Sequence, residues 1–156
     1  GPGAVADDLP GRAALALLHL QLAALACGLA AGALDAASRY VAEREQFGAP
    51  LTALPTVQRT VFDAHAALRG AQHQVDALAA DEPLGPVAAA AALRSATEVA
   101  VDVATTGVQL HGGYGYLTDY PAERFLRDAV SLRAAAATTA VARGGARLLT
   151  ATLLVV

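Results

Sequence analysis

The fold is decided by an uncharged stretch, residues 13–34, which reads AALALLHLQLAALACGLAAGAL. Steps of three and four residues place side chains on one face of a helix. That spacing recurs in a row of leucines, namely Leu15, Leu18, Leu22, Leu25 and Leu29. The pattern predicts a long helix over residues 10–46. Within it, Gly28 and Gly32 predict a side on which a neighbouring helix packs closely.

Proline and glycine divide the rest of the chain into further helices. A second helix is predicted over residues 55–80, a third over 87–110, a short fourth from about 121 to 127, and a last one over 132–154. The buried face of the second helix is predicted to comprise Val57, Val61, Ala64, Leu68, Ala71, Val75 and Leu78. No strand-like alternation of useful length occurs. We therefore expect an all-α fold, an antiparallel four-helix bundle with a short connecting helix.

Composition and charge exclude several classes of function. The net charge is -3, and the 11 basic residues, all arginines, are scattered rather than clustered. Nucleic-acid binding is therefore not expected. The single cysteine, Cys27, rules out a disulfide framework and reads as a small core residue, and the four histidines show no metal-ligand spacing.

The uncharged stretch is long enough to cross a membrane. We predict that it does not, because His19 and Gln21 interrupt it, Ala and Gly make up much of it, and the helix runs on into charged residues. The sequence shows no signal peptide, so a cytoplasmic location is expected. Residues 1–3, Gly-Pro-Gly, read as an expression-tag scar, and residues 4–156 as one helical domain, too short for a complete enzyme of the kind considered next.

Two motifs carry a resemblance to a known family. Residues 40–51 read YVAEREQFGAPL, and residues 109–116 read QLHGGYGY, followed by Tyr-Pro at 120–121 and Arg-Asp-Ala at 127–129. Both motifs, in this order and with compatible spacing, resemble the C-terminal helical domain of acyl-CoA dehydrogenases. The similarity covers about residues 17–139. It implies an FAD-dependent enzyme that introduces an α,β double bond into acyl thioesters.

By this resemblance, six residues contact FAD, largely the adenine and pyrophosphate half, in a neighbouring subunit: Arg44, Phe47, Gln58, Gln109, Gly112 and Gly113. The residue types suit that role. An arginine presents a planar fork of donors to a pyrophosphate, and a glycine-rich turn lets backbone N–H groups approach phosphate closely. Other readings stay open. Arg44 pairs equally well with Glu43 or Asp35, Phe47 suits a core anchor, and the glycines suit a simple helix stop.

The sequence departs from the family where the catalytic base belongs. Most members carry a glutamate eight residues beyond the aspartate of the R-D-A motif, and Ala136 occupies that position here. A minority carry the base on the first helix, where this chain has Leu18. Neither side chain accepts a proton, so we assign no catalytic residue to this chain.

Three hypotheses follow. The first is a C-terminal domain or reduced subunit of a FAD-dependent acyl-CoA dehydrogenase, in a homo- or hetero-oligomer, with the base supplied by the missing domains or by a partner subunit. The second is a non-enzymatic helical module for oligomerisation or partner docking. The third is a related flavoenzyme acting on a carrier-bound substrate, with Tyr114, Tyr116 or His111 as the base.

Overall fold

The computed structural model describes residues 9–138. Its helices are α1 (Leu9–Glu43), α2 (Pro55–Ala79), α3 (Pro86–His111) and α4 (Ala122–Thr138), and its short strands are β1 (Glu45–Gln46) and β2 (Ala49–Pro50). Short 3-10 helices, Leu51–Ala53 and Gly112–Tyr116, lead into α2 and follow α3. The four helices confirm the predicted all-α bundle. The predicted tag scar and most of the predicted last helix lie outside the described residues.

Helix α1 buries a face of alanines, together with Leu20 and Leu34, and not the leucine row that the spacing singled out. Ala16, Ala23, Ala26 and Ala30 are fully buried, whereas Leu18 and Leu25 are about half exposed. A Cβ built on Gly107 of α3 would lie only 3.6 Å from the carbonyl oxygen of Ala33, so small side chains let the two helices approach closely. Spacing along one helix identifies its faces, but the position of the neighbouring helices decides which face is buried.

Helices α2 and α3 agree closely with the prediction. Pro55 and Pro86 occupy their first turns, where a missing N–H costs nothing. On α2 the buried residues are Ala64, Leu68, Ala71 and Val75, all of them predicted. Helix α3 lies at the centre of the bundle and contacts each of the other three helices.

Helix α4 corrects the prediction of a short fourth helix followed by a separate last one. It runs without a break from Ala122 to Thr138. The predicted break at residues 128–131 contains neither Gly nor Pro, and Ser131 Oγ donates a hydrogen bond to the carbonyl of Arg127 without ending the helix. The ring of Phe125 lies over Gly32 of α1, where a Cβ would be 2.7 Å from Phe125 Cε1. Gly32 thus allows the close packing that was predicted, whereas Gly28 has open space around it.

The link between α1 and α2 is a hairpin that the sequence pattern did not predict. Strands β1 and β2 pair antiparallel, with Gln46 opposite Ala49. The two residues between them, Phe47 and Gly48, have φ values of 54° and 80°. Positive φ at both central residues is typical of a type I′ turn.

Among residues 9–138, one segment, Gly11–Glu43, is long and apolar enough to cross a membrane by length and composition. The core helix of a soluble protein passes the same test. The alanine face of this segment is packed in the bundle. The predicted absence of a membrane span stays a prediction.

Candidate functional site

The two sequence motifs come together at one end of the bundle. The first lies at the end of α1, and the second lies at the end of α3, far away in sequence. The ring of Tyr40 on α1 stacks on the ring of His111 on α3, with centroids 4.3 Å apart and planes 25° apart. The two helices therefore end side by side, and the residues that follow each of them share one surface.

Arg44 is the first residue after α1, and its backbone is held on both sides. Its N–H donates to the carbonyl of Tyr40 at 2.8 Å, and its own carbonyl accepts from the N–H of Leu51 at 2.8 Å. The guanidinium carbon lies 5.4 Å from the ring centroid of Tyr114, which belongs to the second motif. This distance lies within the range of a cation–π interaction.

The ion-pair alternative for Arg44 is not seen in the part of the chain that the structure describes. Asp35, one of the two predicted partners, pairs with Arg39 at 2.7 Å. The other predicted partner, Glu43, forms no ion pair with Arg44 among these residues. The N–H donors of Arg44 are thus not engaged by a carboxylate there.

Phe47 stands at the tip of the hairpin with 98% of its surface exposed. It is not the core anchor that was one reading of the sequence. Its φ of 54° is an uncommon conformation for a bulky side chain, and Gly48 beside it adopts positive φ at no such cost. A strained and fully exposed aromatic side chain is characteristic of a binding surface.

The remaining candidates lie at the same end. Gln58 is exposed near the start of α2, and its Nε2 donates to the carbonyl of Thr52 at 2.8 Å, which secures the segment after the hairpin. Gln109 is exposed on the last turn of α3, and its carbonyl accepts the N–H of Gly112. Gly112 has a φ of 58°, and both Gly112 and Gly113 are exposed with open space around them.

An aromatic cluster supports this surface from below, and the sequence reading did not single it out as a unit. Tyr120 contacts Tyr40 and His111 edge-on at 5.7 Å each, and Tyr114 at 5.6 Å. His111 is buried, and its Nδ1–H donates to the carbonyl of Gly107 at 2.7 Å. In the sequence, the signal for this cluster is the recurrence of Tyr and His within the two motifs.

His111 and Tyr116, two of the candidate bases of the third hypothesis, differ sharply in exposure. Only 3% of the surface of His111 is exposed, so its ring cannot reach a substrate. Tyr116 is 77% exposed and stands outside the aromatic cluster. Among the described residues, no group of three His, Cys, Asp or Glu side chains is placed to hold a metal ion.

The two positions where the family carries its base lie far from this end. Leu18 is in the first half of α1, roughly 40 Å from Arg44 along the helix axis. Ala136 is in the last turn of α4, roughly 20 Å from the start of that helix. Ala136 is buried within a continuous helix, where a catalytic turn would have to stand.

An apolar groove of about 420 Å³ opens between α1 and α2, beside Gln58. It is lined by Leu34, Ser38, Val41, Thr52, Val57, Gln58, Val61, Phe62 and His65. Most of its surface is apolar, and Phe62 on its rim is largely exposed. The groove carries no acidic side chain, so it supplies no proton acceptor of the carboxylate type.

Comparisons with known proteins agree with this architecture. Residues 12–146 match the family model described as acyl-CoA dehydrogenase, C-terminal domain. The probable acyl-CoA dehydrogenase FadE25 of Mycobacterium tuberculosis is 43% identical over 113 residues, which cover 69% of this chain and 29% of that protein. This chain thus spans less than a third of that relative's length.

Solved structures of the same fold include butyryl-CoA dehydrogenase from Megasphaera elsdenii, with a TM-score of 0.74, 33% identity, and coverage of 86% of this chain and 37% of that one. The ChsE4–ChsE5 complex from Mycobacterium tuberculosis gives a TM-score of 0.76 at 26% identity, covering 90% of this chain and 38% of that one. FAD is the cofactor of the family, as the resemblance implied. The chain belongs to the acyl-CoA dehydrogenase family, and it corresponds to the C-terminal domain of that family.

Proposed function

We propose that this chain forms one wall of the FAD site in an acyl-CoA dehydrogenase and leaves proton abstraction to another part of the assembly. The observation that carries the proposal is the meeting of Arg44 with the Gly112–Tyr116 turn at one end of the bundle. A cation, an aromatic ring and a glycine turn lie together there. A dinucleotide offers the complementary groups, namely a pyrophosphate and flat rings.

The residues at this end fit FAD on their own chemistry. Arg44 supplies guanidinium donors that no described carboxylate engages, and arginine binds phosphate oxygens with paired hydrogen bonds. The open space at Gly112 and Gly113 admits a ligand close to the backbone. Phe47 offers an exposed face for stacking. When bound, FAD accepts a hydride from the β carbon of the acyl thioester.

The chain lacks a base of its own at both family positions. Removal of the α proton requires a group that accepts it, and neither Leu18 nor Ala136 carries one. We propose that the base comes from the domains that relatives carry before this one, or from a partner subunit. The likeness to one chain of the ChsE4–ChsE5 complex supports a hetero-oligomer.

The test is FAD binding by the chain assembled with the domains or partner subunit that complete the site. We expect the complex to purify with flavin absorbance and Arg44→Ala to weaken FAD affinity about ten- to a hundredfold, because a charge-assisted contact is lost. Arg39→Ala is the matched control, since Arg39 lies on α1 near Arg44 but pairs with Asp35. A complex that stays colourless after FAD is added would refute the proposal.

A second candidate function is helical association without catalysis. It is favoured by the leucine row of α1, in which Leu15, Leu18 and Leu25 remain about half exposed. Exposed apolar side chains in one row are typical of an interaction surface. Light scattering of the full chain tests this candidate, and a strict monomer at all concentrations counts against it.

A further inference from the structure

The structure assigns to Tyr114 a positioning role: its ring holds the guanidinium of Arg44 on the surface where the pyrophosphate of a dinucleotide binds. This inference rests on the proposed FAD site and adds a residue to it. Tyr114 falls at a position where the sequence motif resembling the family specifies no residue type. Geometry alone therefore points to it.

The π face of Tyr114 engages the cation of Arg44 without using its N–H donors. An arginine that is paired with a carboxylate uses its N–H donors in the pair, and a phosphate must then compete for them. A ring beneath the guanidinium attracts the charge through its face and leaves the in-plane donors free. The 5.4 Å separation between Arg44 and the centroid of Tyr114 is of this kind.

Tyr114 is itself supported by a chain of aromatic rings. Tyr114 contacts Tyr120 edge-on, and Tyr120 in turn contacts Tyr40 and His111, which are stacked on each other between α1 and α3. The hydrogen bond from His111 Nδ1–H to the carbonyl of Gly107 fixes the orientation of the innermost ring. The chain of rings thus runs from the helix core to the cation.

The turn that carries Tyr114 is packed against α3. Gly115 lies directly against the last turns of α3, where a Cβ would be 2.6 Å from the carbonyl oxygen of Val108. The Leu117 N–H donates to the carbonyl of Tyr114 at 3.1 Å. The turn is therefore seated on α3, and the backbone of Arg44 is held at the end of α1. The backbones of both partners are thus held in place, and the ring contact restricts the Arg44 side chain before FAD binds, which lowers the entropy lost on binding.

The role is tested first without FAD. In the full chain, NMR should show the Arg44 side-chain protons shifted upfield by the ring current of Tyr114. We expect Tyr114→Phe to retain the shift and Tyr114→Leu to abolish it. Tyr116→Leu is the matched control, because Tyr116 is more exposed and lies outside the aromatic cluster. An Arg44 signal that is unchanged in Tyr114→Leu overturns the inference.

FAD titration of the assembled protein, followed by flavin fluorescence, gives the second readout. Tyr114→Leu should weaken FAD affinity about two- to thirtyfold, while Tyr114→Phe stays near the wild type. In an Arg44→Ala background, Tyr114→Leu should cause no further loss, because its effect passes through the arginine.

The outcomes separate the two proposals. If Arg44→Ala weakens FAD binding but Tyr114→Leu does not, the positioning role is wrong and the FAD site stands. If Tyr114→Leu weakens binding equally with and without Arg44, the ring acts on its own and the positioning role is again wrong. If the assembled wild type binds no FAD, the proposed function itself fails.

Discussion

At the scale of single residues, two buried histidines have opposite environments. His111 donates from Nδ1 to the carbonyl of Gly107 and stacks on Tyr40. His19 on α1 is only 4% exposed, and neither of its ring nitrogens has a hydrogen-bond partner among residues 9–138. A buried polar group without a partner costs stability. Burial lowers the pKa of His19, since the charged form is the one that desolvation penalises.

We therefore predict that His19→Leu stabilises the chain by about 1–3 kcal/mol at neutral pH, because an unpaired polar ring is replaced by an apolar side chain. The wild type should also lose stability as the pH falls below about 6.5, where the unfolded chain takes up a proton on His19 that the folded chain resists. Above that pH, the contribution of neutral His19 to the stability of the folded chain is fully present. Urea unfolding at pH 7.5 and 5.5 measures both effects.

The matched control is His73→Leu, because His73 is exposed on α2. That variant should keep the acid dependence of the wild type. If His19→Leu and His73→Leu show the same slope of stability against pH, then His19 is not the residue responsible.

At the scale of elements, the packing of α4 on α1 depends on a single glycine. The ring of Phe125 occupies the space where residue 32 would carry a Cβ, whereas no described residue fills the equivalent space at Gly28. The two glycines are one helical turn apart on α1 and have the same intrinsic cost in a helix interior. Alanine substitutions at these two positions therefore distinguish the effect of helix propensity on stability from the effect of packing.

Gly28→Ala should raise the free energy of unfolding by about 0.5–1 kcal/mol through reduced chain entropy. Gly32→Ala has the same entropic gain, but the ring of Phe125 must move, at a cost of about 1–3 kcal/mol. We expect Gly32→Ala to be the less stable of the two in urea unfolding. Equal stability of the two variants would show that the ring moves freely.

The turn after α3 has a similar pair of glycines. Gly115→Ala places a Cβ against the backbone of Val108, and we expect a loss of about 1–3 kcal/mol with displacement of the turn. Gly113 has open space around it, so Gly113→Ala should change stability by no more than about 0.5 kcal/mol. FAD affinity should nevertheless fall in Gly113→Ala if the ligand approaches this backbone. Thermal unfolding and FAD titration of both variants separate folding from binding.

At the scale of the whole molecule, the bundle leaves one apolar face of α1 uncovered by the described residues. Leu18 and Leu25 lie on this face, beside the buried alanine face. Leu17 is similarly exposed, but at 100° per residue it lies well around the helix from the leucine row. Leu17 is therefore a control for the row: it is the same residue type with a similar exposure, but it lies on another side of the helix.

If the leucine row is an association surface, the double variant Leu18→Gln and Leu25→Gln should shift the full chain toward the monomer. Leu17→Gln should leave the distribution unchanged. Sedimentation velocity over a range of concentrations measures the shift. A double variant that associates as strongly as the wild type would show that the row is not an association surface.

The sequence by itself determined α2, α3 and most of α1, because a spacing of three and four residues and the positions of Pro and Gly act locally. The break predicted at residues 128–131 was wrong, although the absence of Gly and Pro there was itself a local signal. It also determined the family, since both motifs are continuous segments. The flavin candidates Arg44 and Gly113 were found in this way, and their common location at one end of the bundle agrees with that reading. Their contact with FAD stays a prediction.

The tertiary structure decided which face of α1 is buried and that Tyr114 lies under Arg44. These features depend on neighbours that are distant in sequence. Periodicity records the faces of one helix but holds no information on which partner covers each face. Close packing through alanine and glycine leaves Leu15, Leu18 and Leu25 of the α1 row exposed, and only the assembled bundle shows which face is buried.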